Sequence, residues 1–210
     1  MNQRGLTSWG VVTLLVFSSV FVYAAELERP SPGGITIIAG LPGWWHAGTD
    51  MTGFSVEVDH AVSHGGRASA RIKSMLASPT GFGSLMQVSK PDKFLRKRVR
   101  MSAWVKTEDA KYCGLWFRVD GPQHDPIKPL AIDTMADRPI RGTRDWQRYE
   151  IVLDVPVDAG DIAFGAHMSG TGTLWVDDFR FEEVSSTVPV TSSPATPPLP
   201  PEPQNLNFER

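Results

Sequence analysis

From about residue 35 to residue 184 the apolar positions of the chain return at every second residue. Val99, Met101, Ala103 and Val105 alternate with Arg100, Ser102, Trp104 and Lys106, and Leu115, Phe117 and Val119 alternate with Trp116, Arg118 and Asp120. The same pattern sets Ala68, Ala70 and Ile72 against Ser69, Arg71 and Lys73, and Tyr149, Ile151, Leu153 and Val155 against Arg148, Glu150, Val152 and Asp154. Ile162, Phe164, Ala166 and Met168 form another inner set, and the hydrophobic run 174–181 is interrupted by Asp177-Asp178. Period-two alternation sends successive side chains to opposite faces of a strand. No stretch in this region shows a convincing amphipathic helical spacing. Six or more such runs, separated by Gly- and Pro-containing turns, predict an all-β fold, an antiparallel β-sandwich or jelly roll. The segment 121–145, with four prolines, is expected to be a loop carrying a short edge strand.

The pattern changes at both ends. Residues 1–25 have the layout of a secretory signal helix, with Arg4 ahead of an apolar stretch and Val22-Tyr23-Ala24 supplying small residues for cleavage after Ala24. A short leader follows at 26–34, and the sandwich is expected at 35–184. Residues 185–204 are rich in Pro, Ser and Thr, a composition that favours a disordered linker or tail with extended polyproline character. The last six residues, 205–210, follow it. This layout predicts a periplasmic or secreted protein that meets a membrane only through an uncleaved signal segment.

Composition narrows the chemistry. The formal net charge is −2 and no basic run exceeds Arg96-Lys97-Arg98, so no nucleic-acid partner is expected. Cys113 is the only cysteine, which excludes an intrachain disulfide and points to a buried, inert thiol. The histidines show no zinc-ligand spacing, and loop histidines such as His60 and His64 are expected to face water. Gly-x-Ser-x-Gly is absent. Glu57 and Asp59 share a strand face, as a glycosidase pair could, but spacing alone does not set them across a sugar. The chain is therefore read as non-catalytic, with a weak hydrolase as the least favoured alternative.

The runs 99–106 and 114–120 are close enough to pair as a hairpin. The register that sets Arg100 opposite Asp120 avoids a like-charge pair and places Trp104 beside Trp116, with Arg118 adjacent. Two indoles beside hydrogen-bonding side chains make a surface for sugar rings, and the competing reading packs them beneath the 121–145 loop. Trp45 and His46, in the turn after Trp44, form an alternative ligand set.

Six segments carry a family resemblance. They are Leu41-Pro42-Gly43-Trp44; the turn and strand His64-Gly65-Gly66-Arg67-Ala68-Ser69-Ala70-Arg71-Ile72; Gln87; Met101-Ser102-Ala103-Trp104-Val105-Lys106; Asp145-Trp146-Gln147-Arg148-Tyr149; and the closing Trp175-Val176-Asp177-Asp178-Phe179. In this order they resemble the carbohydrate-binding-module-like domains of the galactose-binding, jelly-roll superfamily. Two departures stand out. The family's opening Asn-Leu-x-x-Phe-Glu strand is missing at 35–40, while Asn205-Leu206-Asn207-Phe208-Glu209 resembles it at the other end, either as the start of a truncated second module or as a strand that loops back. The resemblance implies a structural Ca²⁺ held by Asp178, with Asp177 second. It also implies an exported binding module for a carbohydrate or similar polar ligand, through Trp104, Trp116 and Arg118 or through Trp45 and His46. The alternative is an envelope module that binds a protein partner and no small ligand.

Overall fold

The computed structural model describes residues 34–125 and 128–192. The expected signal segment 1–25, the leader up to residue 33, residues 193–204 of the expected linker, and the fragment 205–210 lie outside the described residues.

The described chain is all-β and antiparallel, without a helix. Its strands are β1 (Ile35–Ile37), β2 (Trp45–Gly48), β3 (Phe54–Asp59), β4 (Ser69–Ser74), β5 (Phe82–Ser89), β6 (Lys97–Asp120), β7 (Ala131–Asp133), β8 (Ile140–Val155), β9 (Asp161–Ser169) and β10 (Thr173–Val184). Hydrogen bonding runs β1-β2-β5-β9-β6-β10-β4-β3, with β7 and β8 also on β6.

β6 decides how this sheet becomes a sandwich. Its first half pairs with β10 and β8, and its second half pairs with β9 and β7. One layer is therefore β8-β6-β10-β4-β3 and the other is β1-β2-β5-β9-β6-β7, with a single strand passing between them. The passage is a bend at Asp109, whose φ of 48° is tolerated by Asp because its short side chain can bond locally. Asp109 is held from β8: its N–H donates to Thr143 Oγ1 at 3.0 Å, and the Thr143 hydroxyl donates to Asp109 Oδ1 at 3.1 Å. The β6–β8 ladder shifts register repeatedly between Val105 and Cys113, as expected where bulges bend a strand. Gly172, at a φ of 123°, closes over this corner; a Cβ there would lie 2.5 Å from the Cα of Ala110.

The expected inner sets of β6, β8 and β9 are confirmed, whereas Ser69, expected to face outward, is buried. Val99, Met101, Ala103, Val105, Leu115, Phe117, Val119, Ile151, Leu153, Val155, Ile162, Phe164, Ala166 and Met168 all lie in one buried core. β10 reaches that core with two parities. Leu174 and Val176 face in before a bulge at Asp178 (φ 53°), and Phe179 and Phe181 face in after it. Phe181 then meets Phe164 edge-on at 4.6 Å and Phe117 at 5.5 Å, tying the two layers together. Trp44 joins the same cluster against Phe164 and Phe179. Cys113 is fully buried, and burial pushes its thiol up to about 12.

Two expectations are corrected here. The runs 99–106 and 114–120 are not a hairpin but parts of one strand, so Trp104 stands beside Arg148 and Asp177 and never opposite Trp116. Both arrangements put the same odd-numbered residues inward, so the alternation itself does not distinguish them. The sandwich also extends past residue 184. Thr191 N–H donates to Val152 O at 2.9 Å, Val152 N–H donates to Thr191 Oγ1 at 2.8 Å, and Thr191 Oγ1 donates to the buried Asp133 at 2.6 Å. Arg98 grips the carbonyls of Ser186 and Val188. Residues 185–192 thus cover the edge of β8, which accounts for the burial of the outward Val152. A chain ending at Val184 is predicted to be less stable than one ending at Ser192 by about 1–3 kcal/mol, since Asp133 and Val152 lose buried partners. Urea denaturation of the two chains measures this, and equal midpoints would contradict it.

Candidate functional site

In the second layer, cross-strand register stacks the outward residues into rows. Tyr112, Gly114, Trp116, Arg118 and Asp120 of β6 sit opposite Ser169, His167, Gly165, Ala163 and Asp161 of β9. β9 in turn places Phe82, Ser84, Met86 and Val88 of β5 alongside, and β2 adds Ala47 and Trp45. The central row therefore reads Trp45–Met86–Gly165–Trp116, and Ile37 continues it on β1. Residues directly opposite on antiparallel strands point to the same side. Trp45 and Trp116 stand on one face three strand spacings apart, about 14 Å between backbones.

The floor of this row explains how the indole is held. A Cβ at Gly165 would lie 1.8 Å from the Leu85 carbonyl oxygen and 3.2 Å from Trp116 Nε1, so only glycine lets the indole lie across β9. Trp116 Nε1 then donates to Ser84 Oγ on β5 at 2.9 Å, and Ser84 Oγ donates to Ala166 O at 3.0 Å. The ring is thus tied across the sheet to β5 by its edge. Around it the same face exposes Ile35, Ile37, Phe82, Val88 and Ile132.

Both ends of the face are polar. Beyond Tyr112 a hollow of about 630 Å³ is lined by Phe82, Lys111, Tyr112 and Arg141, and the Arg141 guanidinium lies 5.2 Å from the Tyr112 ring centre. At the other end Arg118 donates to Asp120 Oδ2 through Nε (2.9 Å) and Nη2 (2.8 Å). Asp120 pairs across the ladder with Asp161, which also bonds His124 Nδ1. Asp120 is 2% exposed and its Oδ1 is buried without a hydrogen-bond partner. Burial, with the Asp161 charge adding to it and Arg118 opposing it, raises the Asp120 carboxyl above its ordinary range.

The structure regroups the expected site residues. Trp116, Arg118 and Trp45, assigned by sequence to rival sets, share one face. His46 does not join them: alternation turns it to the side of Leu85, with Nε2 buried and unpartnered, and burial lowers its pKa. Trp104 lies on the other layer, and its ring is already covered by His64, stacked at 3.9 Å and 13°. His64 is thus packed rather than a free loop histidine. Met86, Gly165, Asp120, Asp161 and His124 were not singled out from the sequence, because each gains its place only through pairing with a distant strand.

The acidic candidates are otherwise engaged. Asp177 Oδ2 accepts the backbone N–H groups of His64 (2.9 Å) and Gly65 (3.1 Å), and Asp178 Oδ2 accepts from His64 Nδ1 at 2.8 Å. They clamp the 64–65 turn and do not fit Ca²⁺, which needs six to eight oxygens; among the described residues no group of three or more His, Cys, Asp or Glu side chains could hold a metal. Glu57 and Asp59 are both bound by Arg71, and Asp59 also accepts from Trp175 Nε1 at 2.9 Å and the N–H groups of Ala61 and Val62.

Against known proteins, no family model matches the chain. A Bacillus subtilis (strain 168) protein named "Uncharacterized HTH-type transcriptional regulator YbfP" is 40% identical over 171 residues, which is 80% of this chain and 57% of that protein. The chain thus spans little more than half the length of this curated relative. Among solved structures, the N-terminal CBM22-1-CBM22-2 tandem domain from Paenibacillus barcinonensis Xyn10C matches with a TM-score of 0.51 at 13% identity, over 83% of this chain and 49% of that one. The enzymatically active domain of bacteriophage CBA120 tailspike protein 4 matches with a TM-score of 0.52 at 12% identity, over 68% and 20%. The fold is that of a carbohydrate-binding-module-like β-sandwich. The name of the relative overturns the expectation of an exported binding module, since it is that of a transcriptional regulator. No helix occurs among the described residues, so they contain no counterpart of a helix-turn-helix.

The Asp120–Asp161 pair gives a signed pH prediction. A carboxyl raised in the folded state favours folding below the ordinary carboxylate value of about 4, and that contribution is lost as pH rises through the higher folded value. Asp120→Asn keeps an oxygen for Arg118 and offers an N–H to Asp161. It is expected to raise Tm relative to the parent at about pH 8, with the gain shrinking towards about pH 4. Thermal melts across this range check it, and a gain independent of pH would count against the pair.

Proposed function

We infer that this sandwich is a saccharide-reading domain of a regulatory protein, binding its ligand on the outer face of the second layer without catalysing its breakdown. The observation that carries this reading is the row Trp45–Met86–Gly165–Trp116, in which two half-buried indoles stand on one face with Arg118 in the next row. Sugar rings present C–H groups that stack on aromatic faces, while their hydroxyls need fixed polar groups close by. Arg118 and His124 supply such groups at one end of the face, held by the buried Asp120 and Asp161, and Tyr112, Lys111 and Arg141 at the other. The regulatory part of the reading is supported by the relative's name, and the saccharide part by the fold shared with the CBM22 tandem domain.

Titration calorimetry of the purified chain with a panel of oligosaccharides tests the reading. Trp116→Ala is expected to weaken binding about tenfold or more, and Trp45→Ala to weaken the same ligand, while Trp104→Ala leaves it unchanged. Binding that survives both changes on the second layer, or that is absent across the panel, would overturn the assignment.

A further inference from the structure

The other side of the sandwich carries a separate cleft of about 800 Å³, lined by His64, Ser102, Trp104, Arg148, Asp178 and Arg180 among others. Its centre is His64, which is fixed from several directions. Its backbone N–H is held by Asp177, its Nδ1–H donates to Asp178, its ring stacks on Trp104, and Trp146 meets it edge-on at 5.7 Å. Asp178 reaches it from the positive-φ bulge of β10, a strained backbone position for a residue other than glycine. With Nδ1 donating to a carboxylate, Nε2 is the acceptor of that tautomer, and it has no partner among the described residues.

The remaining groups divide unevenly between spent and unspent. Glu182 is engaged by Arg148 at 3.0 Å and lies 3.8 Å from Arg100, and Asp178 is engaged by His64. Arg148 is further tied to Ser102 Oγ. The Arg180 guanidinium, on the same wall, has no hydrogen bond or ion pair among the described residues. What the cleft leaves open is therefore one guanidinium fork for an anion and one imidazole acceptor for a hydroxyl.

We propose that this cleft is a second ligand site, separate from the aromatic face, and that it takes a small anionic polyol: a hydroxylated compound bearing a carboxylate or phosphate group. Arg180 pairs with the anion in the two-pronged geometry that guanidinium shares with carboxylate and phosphate. His64 Nε2 accepts a neighbouring ligand hydroxyl, and Asp178 and Trp104 act as positioning residues that hold the imidazole. A neutral sugar leaves Arg180 unused and is discriminated against by the loss of that charge-assisted contact.

The test is titration of the full chain with D-glucuronate and with glycerol phosphate, with D-glucose as the neutral control, followed by calorimetry and by the NMR signals of the His64 ring. Saturable binding of one or both anions that moves the His64 signals is expected, and the two arms separate a sugar acid from a phosphate ester. Arg180→Gln, at an exposed position, is expected to weaken that binding about tenfold, and Trp116→Ala to leave it unaltered. Loss of oligosaccharide binding on the aromatic face would therefore leave this site untouched. If neither anion moves the His64 signals, if D-glucose binds as well as the anions, or if Arg180→Gln binds them like the parent, the proposal fails.

Discussion

The passage of β6 from one layer to the other is the constraint on which the remaining geometry depends. One continuous backbone contributes Val99 to Val105 to the core from the first layer and Leu115 to Val119 from the second. The bend at Asp109, held by Thr143, converts a flat ladder into a sandwich while keeping the same alternation on both sides. A second device repeats this on a smaller scale. The bulge at Asp178 switches the inward parity of β10, so that Phe179 and Phe181 pack inside while Asp177 and Asp178 reach out to the 64–65 turn. Both irregularities use an aspartate in the left-handed region, and both lie where a straight strand would miss its partners.

These two bends also decide which chemistry meets. Had β6 turned back as a hairpin, its two tryptophans would share one surface. The continuous strand instead sends Trp104 beneath His64 on one side and Trp116 across Gly165 on the other. The outcome is two unlike surfaces on opposite layers. One is broad, apolar and aromatic with polar ends; the other is a narrower cleft built around a fixed imidazole and an unspent arginine.

Much of the fold was legible because inward residues repeat with period two and the strands are long enough to show it. The buried sets of β6, β8 and β9 follow directly from alternation, and Cys113 is buried as expected, with Trp44 packed against the core. Pairing was less legible. A positive-φ aspartate after a polar stretch suits a tight turn and a strand bend equally, so the residues near Asp109 do not declare which they form. The site was legible one residue at a time. Trp45, Trp116 and Arg118 stand out as polar-face aromatics and a cation, but their shared face is made by β5 and β9, which lie far from them in sequence. Asp120 and Asp161 read as ordinary strand ends until register puts them opposite each other. Thr191 looked like linker because its anchoring role exists only against Val152 and Asp133.

The central claim is that Trp45 and Trp116 form one ligand face while Trp104 belongs to another. The most direct measurement is a nitrogen–proton NMR titration that follows the indole N–H signals with an oligosaccharide that binds. The account predicts that the Trp45 and Trp116 signals move together along one saturation curve, with Trp104 and the buried Trp175 unmoved. Movement of Trp104 while Trp116 stays still would contradict it, and would place the saccharide on the opposite layer.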